Sequence, residues 1–248
     1  MCWCGVESTV SNVLESEPRQ LALGIAPRFE ATFDHYLPGE NGLILALLHE
    51  AVVAEARSPR LVYLWGEPGC GRSHLLQASC HLAAELGRDF FYLPLTADLG
   101  APPRSFVELA AAELLCLDDI DQVAGDPQWE EALFHLLNRL RQNGHTLLAT
   151  ACNVPTGIGL KLPDLSSRLA AGVTVQLQPL NEADRRRLMK QQAERKGLAL
   201  SDEAVEFILR RSPRGLSDLT ALLERLDQQA WVEQRRLTIP FIKQTMNW

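Results

Sequence analysis

Hydrophobic positions along this chain follow two periods. Leu43, Leu47, Leu48 and Val52 recur at helical spacing from Gly42 to Ala56. Leu75, Leu76, Ser79, Leu82 and Leu86 do so over Ser73–Leu86, and Trp129, Leu133, Leu136, Leu137 and Leu140 over Trp129–Arg141. Phe106–Ala112 is expected to form a short helix. Between these stand β-rich runs: Arg60–Trp65, Asp89–Leu95, Leu114–Leu117, Thr146–Ala151 and Thr174–Leu177. Strands alternating with helices predict a parallel sheet covered on both faces. Past Pro179 the strand signal stops. Glu182–Lys196, Asp202–Arg211, Leu216–Val232 and Pro240–Trp248 all have helical spacing, and Ser201 stands where an N-cap belongs. The expected organisation is a tail over 1–28 with neither period, an α/β core over 29–179 and a small all-helical domain over 180–248.

Composition narrows the function. The chain has 248 residues and a net charge of −7, unevenly spread. The first 180 residues carry 11 basic and 21 acidic side chains, the last 68 carry 13 and 10. Coating nucleic acid needs dense positive charge, so a general coat protein is excluded. No apolar run approaches the ~18 residues of a membrane span. The six cysteines form neither a disulfide framework nor a zinc pattern. Cys80, Cys116 and Cys152 lie in apolar contexts and read as core residues. The absence of a secretory signal and of paired cysteines points to a reducing cytoplasm. Arginines outnumber lysines 20 to 4.

The strongest chemical signal is Gly66-Glu67-Pro68-Gly69-Cys70-Gly71-Arg72-Ser73, between a strand and a helix. Glycines there let backbone N–H groups converge on phosphates, and the helix N-terminus adds a favourable dipole. Gly66, Gly69, Cys70, Gly71, Arg72, Ser73 and His74 are the candidate nucleotide-binding residues. Ser73 would put its hydroxyl on Mg²⁺. Arg72 stands where the motif has lysine; it keeps the charge but is bulkier and planar. The bland alternative is a glycine-rich turn without a ligand. The second signal is Leu114-Leu115-Cys116-Leu117-Asp118-Asp119. A buried strand ending in two acids places carboxylates beside the loop. Asp118 would hold Mg²⁺, directly or through water, and Asp119 could orient an attacking water. The bland alternative here is a solvated acidic turn.

Together these stretches resemble the AAA+ ATPases. YLWGEPGCGRSHLLQASC, LLCLDDIDQVAGDPQWEEALFHLLNRL, LPDLSSRL, VQLQPL and RRLTIPFIKQ are similar to the DnaA-related branch, and most to its DnaA-regulatory inactivators, the Hda family. The resemblance runs from about Phe29 to the end. It implies an AAA+ P-loop core followed by a helical lid, binding ADP or ATP with Mg²⁺. It also implies that Arg168, in LPDLSSRL, is an arginine finger reaching in trans into a neighbour's ATP site; a surface arginine before a strand is the alternative. The position that senses the γ-phosphate, usually Asp or Asn, falls on Cys152, with Asn153 adjacent. Arg214 matches the nucleotide-sensing arginine of the lid, or is a solvated residue at a helix start. In the tail, Gln20, Leu21, Leu23 and Ile25 resemble the motif that docks on the β sliding clamp of DNA polymerase III, three apolar anchors on an extended peptide.

The function this implies is negative regulation of replication initiation. With the DNA-loaded clamp, the protein would stimulate hydrolysis of DnaA-bound ATP, its own ATPase being weak or absent. The alternative is an ATPase or loader that hydrolyses its own ATP; Arg72, Asp119 in place of glutamate and Cys152 argue against efficient turnover. The sequence ends about where DnaA-type proteins begin a DNA-binding domain, so direct sequence-specific DNA binding is not expected. Self-association into a homodimer is left open.

Overall fold

The computed structural model describes residues 31–53, 60–102, 104–212, 216–233 and 237–248. Five strands form one parallel sheet: β1 (Leu61–Trp65), β2 (Phe90–Pro94), β3 (Leu114–Asp118), β4 (Thr146–Ala151) and β5 (Val173–Gln176), in the order β2-β3-β4-β1-β5. Helix α1 (Gly42–Val53) precedes β1. Parallel strands need crossovers. Helix α2 (Arg72–Glu85) joins β1 to β2, and 3₁₀ turns over Arg104–Ala111 lie between β2 and β3. Helix α3 (Pro127–Asn143) joins β3 to β4, and α4 (Pro163–Ala170) joins β4 to β5. Both faces are covered, so the central strands are apolar throughout; all five residues of β3 and all six of β4 are buried.

Alternation along each strand splits the core in two. Tyr63, Leu115, Leu117, Leu147 and Ala149 face α3 and α4. Val62, Leu64, Leu114, Cys116 and Leu148 face α1 and α2. Beyond β5, four helices build a separate core: α5 (Glu182–Arg195), α6 (Asp202–Arg211), α7 (Leu216–Glu233) and α8 (Ile239–Met246). Met189, Val205, Ile208, Leu223, Phe241 and Ile242 fill it. Ser201 caps α6 through Ala204 N–H at 3.2 Å, and Asn181 caps α5 through Asp184 N–H at 2.8 Å. Among the described residues, no helix is long and apolar enough to cross a membrane.

Several expectations are corrected. Cys152 is exposed, not a core residue, because β4 ends at Ala151 and the chain turns out of the sheet there. Cys80 and Cys116 are buried free thiols, Sγ to Sγ 3.5 Å. Of the α1 stripe, Leu48 and Val52 are buried as expected, beside Ala51, but Leu43 is 88% exposed. Leu86 is also exposed, since α2 has ended before it. The helix expected near Phe106 consists of 3₁₀ turns over Arg104–Ala111. The LPDLSSRL stretch, not assigned as a helix from the sequence, forms α4, with Leu165 and Leu169 buried on one face.

Candidate functional site

The glycine loop joins β1 to α2 at the C-terminal edge of the sheet. Its last glycine, Gly71, has φ +100°, and a Cβ there would lie 2.7 Å from the Tyr36 ring. Only glycine permits that backbone against that aromatic wall. Gly71 is also the N-cap of α2 and offers no side-chain cap, so the first N–H groups of the helix are not met by one. The positive end of a fourteen-residue helix therefore opens onto the loop. Such a cradle fits the phosphates of a nucleotide.

The loop is walled by the segment before α1. Tyr36 Oη approaches the Cys70 carbonyl at 3.4 Å, and His74 Nε2 meets the Thr32 carbonyl at 2.9 Å. Asn41, 1% exposed, donates to the Gln178 carbonyl at 2.9 Å and accepts from Gln178 N–H at 2.8 Å. It thereby ties this wall to the chain leaving β5. Burial holds the His74 imidazole below its usual pKa, so the neutral ring is favoured. Cys70 is buried, and burial pushes its thiol up.

Arg72 lies back against the sheet edge. Its Nη1 donates to the Gly66 carbonyl at 2.9 Å, and its Nη2 lies 2.9 Å from Asp119 Oδ1. That second contact is an ion pair off the hydrogen-bond direction, since Asp119 Oδ1 has no hydrogen-bond donor. Asp119 is left-handed (φ +57°), unusual for a residue with a Cβ. Its N–H donates to Thr150 Oγ1 at 2.8 Å. Burial and neighbouring Asp118 raise its carboxyl to about 6, against the pull of Arg72. Asp118 is 3% exposed, with both oxygens engaged: Thr150 Oγ1 donates to one at 2.5 Å, Tyr92 Oη to the other at 2.8 Å.

At the end of β4, Cys152 N–H donates to Asp121 Oδ1 at 3.0 Å, and the thiol is raised by partial burial and by Asp121. Asn153 turns the other way: its Oδ1 accepts from Val154 N–H at 2.8 Å within its own loop. Cys152 thus borders Asp121, while the Asn153 side chain is engaged within its own loop. Arg168 is set apart from this edge, in the last turn of α4. Its guanidinium carbon lies 4.6 Å from the centre of the Phe134 ring on α3, and among the described residues no carboxylate pairs with it. Gln20, Leu21, Leu23, Ile25 and Arg214 lie outside the described residues.

Sequence reasoning missed Tyr36, Asn41 and Glu130. Glu130, 1% exposed in the first turn of α3, accepts N–H bonds from Gly125, Lys161 and Leu162 at 2.6–3.0 Å. A glutamate in an amphipathic helix ordinarily signals a solvated face; only its place beside Trp129 hinted otherwise.

Residues 62–177 match the ATPase family associated with various cellular activities (AAA), and residues 182–246 match the Hda lid domain. Domain III of the replication initiation protein DnaA from Thermotoga maritima superposes with a TM-score of 0.76 at 18% identity, covering 89% of this chain and 97% of that one. AMPPCP-bound DnaA from Aquifex aeolicus gives 0.70 at 20%, covering 83% and 68%. The Thermotoga maritima RuvB Holliday junction branch migration motor gives 0.66 at 21%, covering 88% and 71%. At such identities the structures speak for the fold; the two family matches, end to end over the sheet and the helical bundle, go further. The chain belongs to the DnaA-related AAA+ proteins and carries the lid of the Hda family.

Proposed function

We propose that this protein is a nucleotide-binding regulator that acts on ATP held by DnaA, with Arg168 as the arginine finger. The observation that carries the reading is the state of Arg168: held at the end of a short helix by an aromatic face, with no carboxylate among the described residues neutralising it. A guanidinium kept in that condition is free to meet charge developing on γ-phosphate oxygens. The Hda-family lid and the DnaA-like fold support DnaA as the partner.

The protein's own site suits a resident nucleotide more than turnover. Gly69, Gly71 and the head of α2 would hold the phosphates, and Ser73 and Asp118 the accompanying Mg²⁺, Asp118 through water given its engaged oxygens. The metal would supply charge neutralisation. Asp119, the candidate water-orienting carboxylate, is paired with Arg72. An ATPase or loader working on its own ATP fits that pairing less well. ADP bound between core and lid, with Arg214 reaching toward it, would fix their angle. Residues 20–25 would dock on the β sliding clamp and restrict the activity to DNA already being copied, in the cytoplasm.

The test is DnaA-ATP hydrolysis with DNA-loaded clamp. Arg168→Ala should fold, bind nucleotide and bind clamp normally, yet lose most of the stimulation. An alanine variant that stimulates as well as the parent protein removes the finger; one that loses its own nucleotide makes the arginine a cis residue.

A further inference from the structure

Glu130 is the one acidic side chain among the described residues that is almost wholly buried yet lies away from the nucleotide loop. Burying a carboxylate costs several kcal/mol unless its oxygens are fully hydrogen-bonded. Here they are. Oε1 accepts from Gly125 N–H at 2.7 Å and Lys161 N–H at 3.0 Å; Oε2 accepts from Lys161 N–H at 2.9 Å and Leu162 N–H at 2.6 Å. Every donor is a backbone amide.

Where those amides sit gives the arrangement its meaning. Gly125 precedes Asp126, the N-cap of α3. Lys161 and Leu162 lead into α4, and Leu162 is its N-cap, which makes no side-chain cap of its own. Glu130 therefore pins the head of α4 to the first turn of α3. One turn further along α3, Phe134 receives Arg168 from the tail of α4. Leu165 and Leu169, both fully buried, fix how deep α4 lies, but apolar contacts allow sliding. Directional bonds to Glu130 do not. Glu130, Phe134, Lys161 and Leu162 also line one groove of about 500 Å³ between the two helices.

We infer that Glu130 is the positioning residue for Arg168: it fixes α4 along α3, and so sets where the guanidinium is presented to a neighbour's ATP. The inference rests on the finger reading above. It requires no contact of Glu130 with substrate; its action passes through the backbone of residues 161 and 162 and then along α4. The sensitivity is large, because a misplacement of ~1 Å at a reacting group can cost about a hundredfold in rate.

Glu130→Gln separates this role from simple support. Whichever way the amide is turned, its NH₂ faces two of the four N–H contacts, donor against donor. The melting temperature is expected to fall, and the variant's own ADP binding to stay within about twofold of the parent. Amide hydrogen exchange at Lys161 and Leu162 should accelerate. In the clamp-dependent assay, the maximal rate of DnaA-ATP hydrolysis should fall at least tenfold, while the half-maximal protein concentration moves less than twofold. A double variant with Arg168→Ala should be no slower than Arg168→Ala alone, since Glu130 acts through that arginine. Glu130→Asp, which keeps the charge but is a methylene shorter, should fall between; it carries the same comparison if the glutamine variant does not fold. Unchanged exchange at residues 161 and 162, an undiminished maximal rate, or a loss confined to the half-maximal concentration would overturn the assignment. If Arg168→Ala itself stimulates normally, the finger reading fails, and the exchange result still reports whether Glu130 holds the loop.

Discussion

Arg72 and Arg168 are both candidates to meet phosphate, and the fold treats them in opposite ways. Arg72 is 11% exposed, bonded to a carbonyl and paired with a carboxylate. Arg168 has a ring face beside it and, among the described residues, no carboxylate paired with it. An aromatic face orients a guanidinium without cancelling its charge, whereas a carboxylate at 2.9 Å does cancel it. Arg72 thus sits in a self-neutralised site, and Arg168, in the reading proposed above, would keep its charge for another molecule. In the proposed function that difference would divide labour between a resident nucleotide and a nucleotide acted upon.

The sharpest way to break the comparison is at Arg168. Arginine fingers contribute about 10³–10⁵ in rate, so Arg168→Ala should reduce stimulation of DnaA-ATP hydrolysis by at least three orders of magnitude. Arg168→Lys should recover little, because an ammonium point charge lacks the planar fork. A lysine variant with near-parental turnover in single-turnover kinetics would mean that charge alone matters, and the contrast with Arg72 would lose its geometric half.

On the other side of the comparison stands Gly71. Gly71→Val would put a branched side chain at φ +100° and 2.7 Å from Tyr36. ADP affinity should fall by ~100-fold or more, and the rise in melting temperature that ADP gives the parent should vanish. Isothermal titration calorimetry reads the affinity, and thermal unfolding with and without ADP reads the shift. Undisturbed ADP binding would show that the loop is a structural turn. A third change lies in neither region: Leu21→Ala with Leu23→Ala removes two anchors worth ~1.5–3 kcal/mol each if buried in a partner. Clamp affinity, measured by surface plasmon resonance, should drop at least tenfold with ADP binding unaltered. Unaltered clamp binding would remove the tail motif.

The two arginines were not equally legible in the sequence. The glycine loop announces itself because sharp turns against phosphate admit few residue types, and the paired aspartates follow a run too apolar to be anything but a central strand. Regular spacing likewise foretold α1, α2, α3 and the lid helices. What spacing cannot carry is tertiary partnership. Leu43 fits the helical stripe of α1 but nothing packs on it. Helix α4 has eight residues and a leucine at its N-cap; its signals, Pro163 at the first position and Leu165 and Leu169 four apart, span too short a stretch to stand out. Glu130 looks like solvent-facing charge until Lys161 and Leu162 arrive from thirty residues downstream. Arg72 reads as a substitute for lysine; that it turns away toward Asp119 depends on the aspartate's left-handed backbone.

That turn gives the smallest predicted effect and the most discriminating one. If Arg72 must leave Asp119 to meet a phosphate, the carboxylate competes with the ligand and also repels it. Asp119→Asn would remove both penalties while keeping a side chain of the same shape, which Thr150 still anchors through the backbone N–H. An ion pair this accessible, with Asp119 33% exposed, contributes about 1 kcal/mol or less. ADP affinity should accordingly rise, by up to about fivefold. The opposite sign has a distinct meaning. Were Asp119 chiefly a water-orienting group or a second holder of the bound cation, its neutralisation would weaken nucleotide binding or abolish a measurable intrinsic ATPase. Titration of ADP into Asp119→Asn, alongside a steady-state ATPase assay of both proteins, decides between them. Tighter ADP with no ATPase in either protein upholds the self-neutralised site. Weaker ADP, or an intrinsic activity that the substitution destroys, would make Arg72 and Asp119 working parts of a hydrolytic centre and erase the contrast with Arg168.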